Sequence, residues 1–501
     1  MTGAPADQAA AANLAELVTR AAERGPAHPA LVDAASGDTL SWSEVDAAVN
    51  EHALALLDAG VQPGDRVAVR LATGVSYCLA AFGALRVGAV LVPMSLDLPS
   101  RAVGELLADC GAKILVGEGD APVVLPSPNR VSGTSAAVEP VGGGEDIAVL
   151  CYTSGTSGVA RGVLLSHRAL LANVTQCAAL RPAPVTAADR VLLALPLSHA
   201  YGLGPGLFQV AAAGATLVLL PRFGVEESLA AIERYRVTTL AGVPPMYSAL
   251  LSVPEERLLT ALSTIRLFTS GAAALDQRLS DEMRRMTGLP VFEGYGLTET
   301  GPVLTSTLVT GYAKPGSVGQ PLPGVELRLV DSDGDPLPGP DPNEPLDDLG
   351  DEDGGAGLVS VRGANLFSGY WPDGTRGPDA DGWFRTGDIG YLDADGDLHL
   401  VDRANDLIIV NGFNVYPHEV ERVLETLAGV AEVAAVGVPD ERTGETVKAI
   451  VVRAPDATLS ADDVVDYCVE RLARFKVPSQ VEFTDKLPHS ATGKLARRLL
   501  R

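Results

Sequence analysis

Eleven residues, Tyr152-Thr-Ser-Gly-Thr-Ser-Gly-Val-Ala-Arg-Gly162, gather three glycines and four Ser or Thr hydroxyls directly behind the apolar run Ile147–Cys151. Glycine lets a backbone turn tightly and bring its N–H groups close to a ligand. Hydroxyls and N–H groups in a concave loop suit phosphate oxygens. The spacing is not that of a P-loop, because no Gly-x-x-x-x-Gly-Lys-Ser/Thr runs through it. A Gly/Ser-rich loop by itself is equally the composition of a flexible connection. Four further segments carry chemistry-bearing side chains. Tyr295-Gly-Leu-Thr-Glu-Thr-Gly301 sets a flat aromatic face beside Glu299, an oxygen ligand suited to Mg²⁺. Trp383-Phe-Arg-Thr-Gly-Asp388 puts a carboxylate in a glycine turn, where paired ribose hydroxyls could donate to it. Pro196-Leu-Ser-His-Ala-Tyr-Gly202 offers an imidazole and a phenol, and Leu487-Pro-His-Ser-Ala-Thr-Gly-Lys494 offers an ammonium. Each has a plain alternative. Asp388 can stabilise its own turn, His199 can be structural or solvated, and Lys494 can be an exposed charge of a basic tail with Arg497, Arg498 and Arg501.

These segments need a scaffold, and the bulk of the chain supplies one. At 501 residues two or three domains are expected. A hydrophobic content of 47% with 20% charged residues describes a globular protein. The net charge of −25 argues against a general nucleic-acid or anionic-membrane surface. An anionic ligand must therefore be held by local donors and a metal ion. Ahead of Val401, runs such as Arg66–Arg70, Ala89–Pro93 and Lys113–Val116 alternate with helical periodicity at Ser43–Ala59 and Ser76–Val87, which implies parallel sheets covered by helices. The uncharged span Val191–Leu220 is long enough for a membrane helix, but Pro196, Gly202, Gly204, Pro205 and Gly206 break it into strand, loop, helix and strand. Pro336–Gly357 turns to Pro, Asp, Glu and Gly and reads as a surface loop. Beyond Val401, Ala435–Val438, Val447–Val452 and Val481–Phe483 alternate with helices at His418–Leu427 and Ala461–Leu472, a small α+β module. Five scattered cysteines without a CxxC pair give no zinc or disulfide framework and point to a reducing, cytoplasmic setting. No secretory signal is read in the first residues.

Taken in order, Tyr152–Gly162, Pro196–Gly202, Tyr295–Gly301, Gly387-Asp388, Asp402-Arg403, Gly412 and Gly493-Lys494 resemble the adenylate-forming superfamily of acyl-CoA synthetases, peptide-synthetase adenylation domains and firefly luciferase. Gly412–Glu421 and Leu472–Pro478 resemble its fatty and other acyl-CoA synthetase branch. The resemblance implies an α/β protein with a large N-terminal domain of helix-covered sheets, residues 1–402, and a small mobile α+β domain, residues 403–501, that swings between two poses. It implies ATP-dependent conversion of a carboxylic acid to acyl-AMP, release of pyrophosphate and transfer to coenzyme A, with Mg²⁺. On that pattern Thr153, Ser154, Gly155, Thr156, Ser157 and Gly158 wrap the β/γ-phosphates, with Arg161 ending the loop and Thr298 at the α-phosphate. Glu299 and Thr156 hold the metal. Tyr295 and Gly296 face adenine, with Gly271, Ala272 and Ala273 along its edge, and Asp388 and Arg403 take the ribose. Lys494 is the catalytic ammonium, and Asn405 is the pivot. Gly412 lines the pantetheine channel beside His199, while His199, Tyr201, Gly202, Tyr247 and Gly294 border the acyl pocket.

Three positions depart from the family pattern. The phosphate loop ends Ala160-Arg161-Gly162 where Pro-Lys-Gly is usual, the pivot is the neutral Asn405 rather than Asp or Lys, and Gly357-Leu358 replaces a Gly-Glu pair. Neither Gly242–Leu251 nor Gly294–Thr305 contains a Lys or Arg to pair with a second carboxylate, and the His199 loop lacks the Asp that grips an α-amino group. A neutral aliphatic acid is the leading substrate, an aryl acid the next. Two other readings stand beside this one: an acyl-AMP ligase that loads the phosphopantetheine of an acyl carrier protein, and a silent adenylate-binding protein.

Overall fold

A computed structural model describes residues 11–117, 136–153, 160–338, 356–403, 406–410, 413–440, 442–489 and 494–500. Contacts divide the chain into two units, Met1–Glu326 with Arg362–Phe384, and Leu327–Val361 with Arg385–Arg501.

The first unit is built on two sheets. In the larger, parallel strands lie in the spatial order Val291–Tyr295, Leu267–Ser270, Thr239–Gly242, Arg190–Leu193, Thr216–Leu219 and Pro29–Asp33, with short antiparallel strands at both edges. Thr216–Leu219 and Thr239–Gly242 are buried along their whole length, as strands covered on both faces must be. In the smaller sheet, Ile114–Gly117, Arg66–Arg70, Val90–Pro93 and Ile147–Thr153 run parallel, and Arg161–Ser166 returns antiparallel to the last. The helices expected between these strands are present as Trp42–Asp58, opened by a capping box on Ser41 and Glu44, and Val75–Arg86. The uncharged span is broken as its composition requires. It runs from strand Arg190–Leu193 through a π-helix, Gly202–Phe208, and a short helix, Gln209–Ala213, to strand Thr216–Leu219. No described helix is long and apolar enough to cross a membrane.

The second unit departs from the parallel pattern expected ahead of Val401. Val325–Val330, Gly357–Gly363, Phe384–Leu392 and Leu398–Arg403 form a four-stranded sheet, and the last two pair antiparallel. The reason is local. Asp393 accepts from the N–H groups of Asp395 and Asp397 at 3.0 Å each, closing a tight side-chain turn that leaves no room for a crossover helix. The C-terminal α+β module is as expected: Val430–Asp440, Gly444–Arg453 and Gln480–Thr484 in one sheet, with helices Pro417–Glu425 and Ala461–Val469. All five cysteines are free and buried.

Candidate active site

Four of the candidate segments leave the C-terminal edge of one sheet, where ligands of open α/β sheets bind. Strand Arg190–Leu193 runs into Pro196–Gly202, Thr239–Gly242 into the Tyr247 helix, Leu267–Ser270 into Gly271–Ala273, and Val291–Tyr295 into Gly296–Glu299. Glycines let these loops close on one another. A Cβ at Gly271 would lie 3.2 Å from the Tyr201 ring, and one at Gly296 would lie 1.9 Å from the Pro302 carbonyl oxygen. Ala272 sits in the left-handed region at φ +66°, a conformation that costs a non-glycine residue about 1–2 kcal/mol.

The turn that carries Thr298 and Glu299 is pinned from three sides. Asn173 accepts from Val303 N–H and donates to Val303 O, Asn365 donates to Thr300 O, and Phe367 N–H donates to Glu299 O. The Glu299 side chain is fixed as well, since the Tyr370 hydroxyl donates to its Oε1 at 2.8 Å. The Arg161 guanidinium lies 4.8 Å from the centre of the same Tyr370 ring. Burial and the adjacent Glu299 carboxylate push the Tyr370 phenol up to about 12, so it stays an O–H donor at neutral pH. One Glu299 oxygen is thus committed and the other has no described hydrogen bond, a disposition that fits Mg²⁺, which takes one or two carboxylates and substrate phosphate. Thr153 and Arg161 are the last paired rung of the hairpin whose tip is the glycine-rich loop. Ser154, Gly155, Thr156, Ser157 and Gly158 themselves lie outside the described residues.

His199 follows Leu197 in the same edge and accepts the Tyr201 N–H on Nδ1 at 3.2 Å. Burial holds its pKa below the ordinary imidazole value, so the neutral ring carries its proton on Nε2. This side chain presents an N–H donor, not a lone pair, to whatever lies before it. Gly202 is obligatory here, because a Cβ would meet the Pro196 oxygen at 2.2 Å. Tyr201 donates weakly to Gly242 O at 3.4 Å. Tyr247 is 0% exposed and donates to Thr269 O at 2.6 Å. Its phenol ties two strand ends together, and its ring packs on Gly242. Gly294 is opposite Ser306 in the antiparallel edge.

In the second unit, Asp388 and Arg403 are cross-strand partners, so the two residues singled out for a ribose occupy one rung. The turn expected at Gly387 is absent: Gly387, at φ +78°, and Asp388 both lie within the strand Phe384–Leu392, where glycine tolerates the irregular backbone. Lys494 is exposed and sits beside the bridge between His489 and Leu495. The tail bearing it is not a loose basic run. Arg497 pairs with Glu421, a carboxylate only 4% exposed that also accepts from Ala435 N–H, and His489 pairs with Glu432 at 3.0 Å. Asn405 and Gly412 lie outside the described residues.

Residue-by-residue reading missed Glu293, two positions before Tyr295. Burial raises its carboxyl to about 7, against the N–H bond it accepts from Leu275. Its folded pKa lies above the unfolded one, so the folded state is favoured below about pH 4.5 and loses that advantage as pH rises through about 7. Glu293→Gln keeps an acceptor for Leu275 and removes the buried charge. It is expected to stabilise the protein by about 2 kcal/mol at pH 8 and by little at pH 5, read from urea unfolding at the two pH values.

Residues 18–371 match the AMP-binding enzyme family and residues 419–494 match the AMP-binding enzyme C-terminal domain. A long-chain-fatty-acid–CoA ligase of Bacillus subtilis (strain 168) is 37% identical over 71% of this chain and 61% of its own length. A feruloyl-CoA synthase of an Amycolatopsis species is 36% identical over 92% of this chain and 93% of its own. ATP-bound MatB from Rhodopseudomonas palustris superimposes with a TM-score of 0.87 at 32% identity, covering 98% of each chain. Sequence and fold together, over nearly the full length, place this chain in the AMP-binding enzyme family, among the AMP-forming acid–thiol ligases of its acyl-CoA synthetase branch.

Proposed function

We propose that this ligase takes a neutral, aliphatic monocarboxylic acid, joins it to the α-phosphate of ATP with loss of pyrophosphate, and passes the acyl group to coenzyme A. The observation that carries the reading is the convergence of the Tyr201, Tyr247, Gly271 and Glu299 loops on one sheet edge, with Glu299 oriented by Tyr370. The chemical obstacle is charge. Two unit charges 4 Å apart repel by about 4 kcal/mol at an effective dielectric of 20. Divalent-ion binding at Glu299, with Thr156 as second ligand, supplies the Lewis acid that neutralises phosphate oxygens. In this reading Thr153–Gly158 and Arg161 hold the β- and γ-phosphates and Thr298 holds the α-phosphate. Tyr295, Gly296 and Gly271–Ala273 bind adenine, Asp388 and Arg403 bind ribose, and Lys494 comes from a mobile domain of residues 403–501 to complete the charge balance. His199, through its Nε2–H, then donates toward the acyl oxygen as Asn405 pivots and Gly412 borders the thiol's path.

The wall residues support a neutral acid. Gly242–Leu251 and Gly294–Thr305 carry no cation, and the Tyr201 and Tyr247 phenols are engaged with backbone carbonyls. A panel of acids assayed for ATP- and CoA-dependent thioester formation is expected to rank aliphatic monoacids first and aryl acids second, with dicarboxylates and amino acids at least about tenfold lower in kcat/KM. A dicarboxylate at the top of that ranking defeats the assignment. The feruloyl-CoA relative specifically favours the aryl acid as second reading. An acyl carrier protein in place of CoA is the outcome marked by pyrophosphate release without CoA thioester.

A further inference from the structure

Tyr370 lies on a strand-like segment that is hydrogen-bonded on both sides. Ser368 N–H donates to Leu164 O and Trp371 N–H to Gly162 O at 2.8 Å each, while Phe367 N–H donates to Glu299 O at 3.0 Å. The first two bonds attach the segment to the strand that begins at Arg161, and the third attaches it to the Glu299 turn. Tyr370 repeats this connection with its side chain. It is 7% exposed, its hydroxyl holds Glu299 Oε1, and its ring carries Arg161 at 4.8 Å and Arg376 at 5.5 Å. Arg161 is also the position where the chain departs from the Pro-Lys-Gly ending. A guanidinium stacks on an aromatic face as an ammonium on a flexible stem does not, so an aromatic ring can fix arginine where proline is missing.

We propose that Tyr370 is a positioning residue that locks the metal-binding carboxylate Glu299 and the phosphate-loop cation Arg161 into one geometry. The hydroxyl serves the carboxylate and the ring serves the cation. This rests on the reading of Glu299 as the Mg²⁺ ligand. The two halves separate by substitution. Tyr370→Phe removes the donor and keeps the ring, whereas Tyr370→Leu removes both.

The experiment is calorimetric titration of Mg²⁺ into the full-length protein saturated with ATP, without acid substrate, alongside ATP binding in EDTA and melting temperatures. Tyr370→Phe is expected to weaken Mg²⁺ binding about tenfold, as loss of an outer partner of a ligand does, with ATP binding in EDTA unchanged. Tyr370→Leu is expected to weaken both, and Arg161→Ala in the Leu background to add little further loss. Glu299→Gln is the control. A shift in Glu299→Gln with none in Tyr370→Phe overturns the inference and leaves Glu299 in place. No shift in Glu299→Gln removes the metal reading and the inference with it. If Tyr370→Leu melts too low to titrate, Tyr370→Phe with Arg161→Ala and their double variant decides the same question.

Discussion

Lys494→Ala is expected to lower the rate of acyl-adenylate formation about 10²-fold or more, as loss of one preorganised charged donor does. The effect belongs to one half-reaction. While the carboxylate approaches the α-phosphate, two anions share a small volume, and an ammonium there stabilises the transition state more than separated reactants. Once pyrophosphate has gone, the acyl-AMP presents a single phosphate charge, and a thiolate attacks carbon instead of phosphorus. The alanine variant supplied with preformed acyl-AMP should therefore make thioester at close to the native rate. Pyrophosphate release read against thioester formation from the adenylate separates the halves. A near-normal rate of pyrophosphate release strikes Lys494 from the mechanism, and an equal loss in both assays makes it structural. The anchored tail bears on the same point. Glu421 is buried, yet His418, Arg497 and the Ala435 N–H hold its pKa below the ordinary value. The ion pair with Arg497 thereby anchors the described residues that follow Lys494, as the proposed role of its ammonium requires.

The strands were legible because most of their length is buried. Ile147–Cys151 and Ala215–Leu220 are apolar runs with turn residues at their ends, Val447–Val452 is one interrupted only by Lys448, and a run that cannot face water has few other fates. The loops at the strand ends were legible for another reason: glycine and hydroxyl residues at such density are poor core and good ligand-binding backbone. The antiparallel pairing of Phe384–Leu392 with Leu398–Arg403 was not legible, because its turn is closed by Asp393 accepting the N–H groups of Asp395 and Asp397, and an aspartate that caps its own turn looks like any other in a linear sequence. Tyr370 was invisible for a related reason. One tyrosine next to Gly369 and Trp371 reads as core, and only the fold reveals that its ring and its hydroxyl face different partners. Glu293 was passed over because its two neighbours, Gly294 and Tyr295, carry the recognisable pattern, while its raised pKa comes from burial that a linear sequence does not display.

Glu299→Gln should produce the other large effect, a fall of about 10²- to 10³-fold in pyrophosphate release at ordinary Mg²⁺ concentration, comparable to losing an oriented charged group at a phosphate centre. Glutamine is nearly the same size and still accepts from the Tyr370 hydroxyl, so the turn pinned by Asn173, Asn365 and Phe367 should keep its shape and the melting temperature should hardly move. What is lost is one formal negative charge, and a hard divalent cation responds to that strongly. Raising Mg²⁺ is therefore expected to recover part of the rate in Glu299→Gln and none of it in Lys494→Ala, because only the first defect is one of metal occupancy. Equal insensitivity of both variants to Mg²⁺ would mean that Glu299 does not bind the cation. The two titration curves, overlaid, distinguish a carboxylate that binds a cation from one that merely braces a turn.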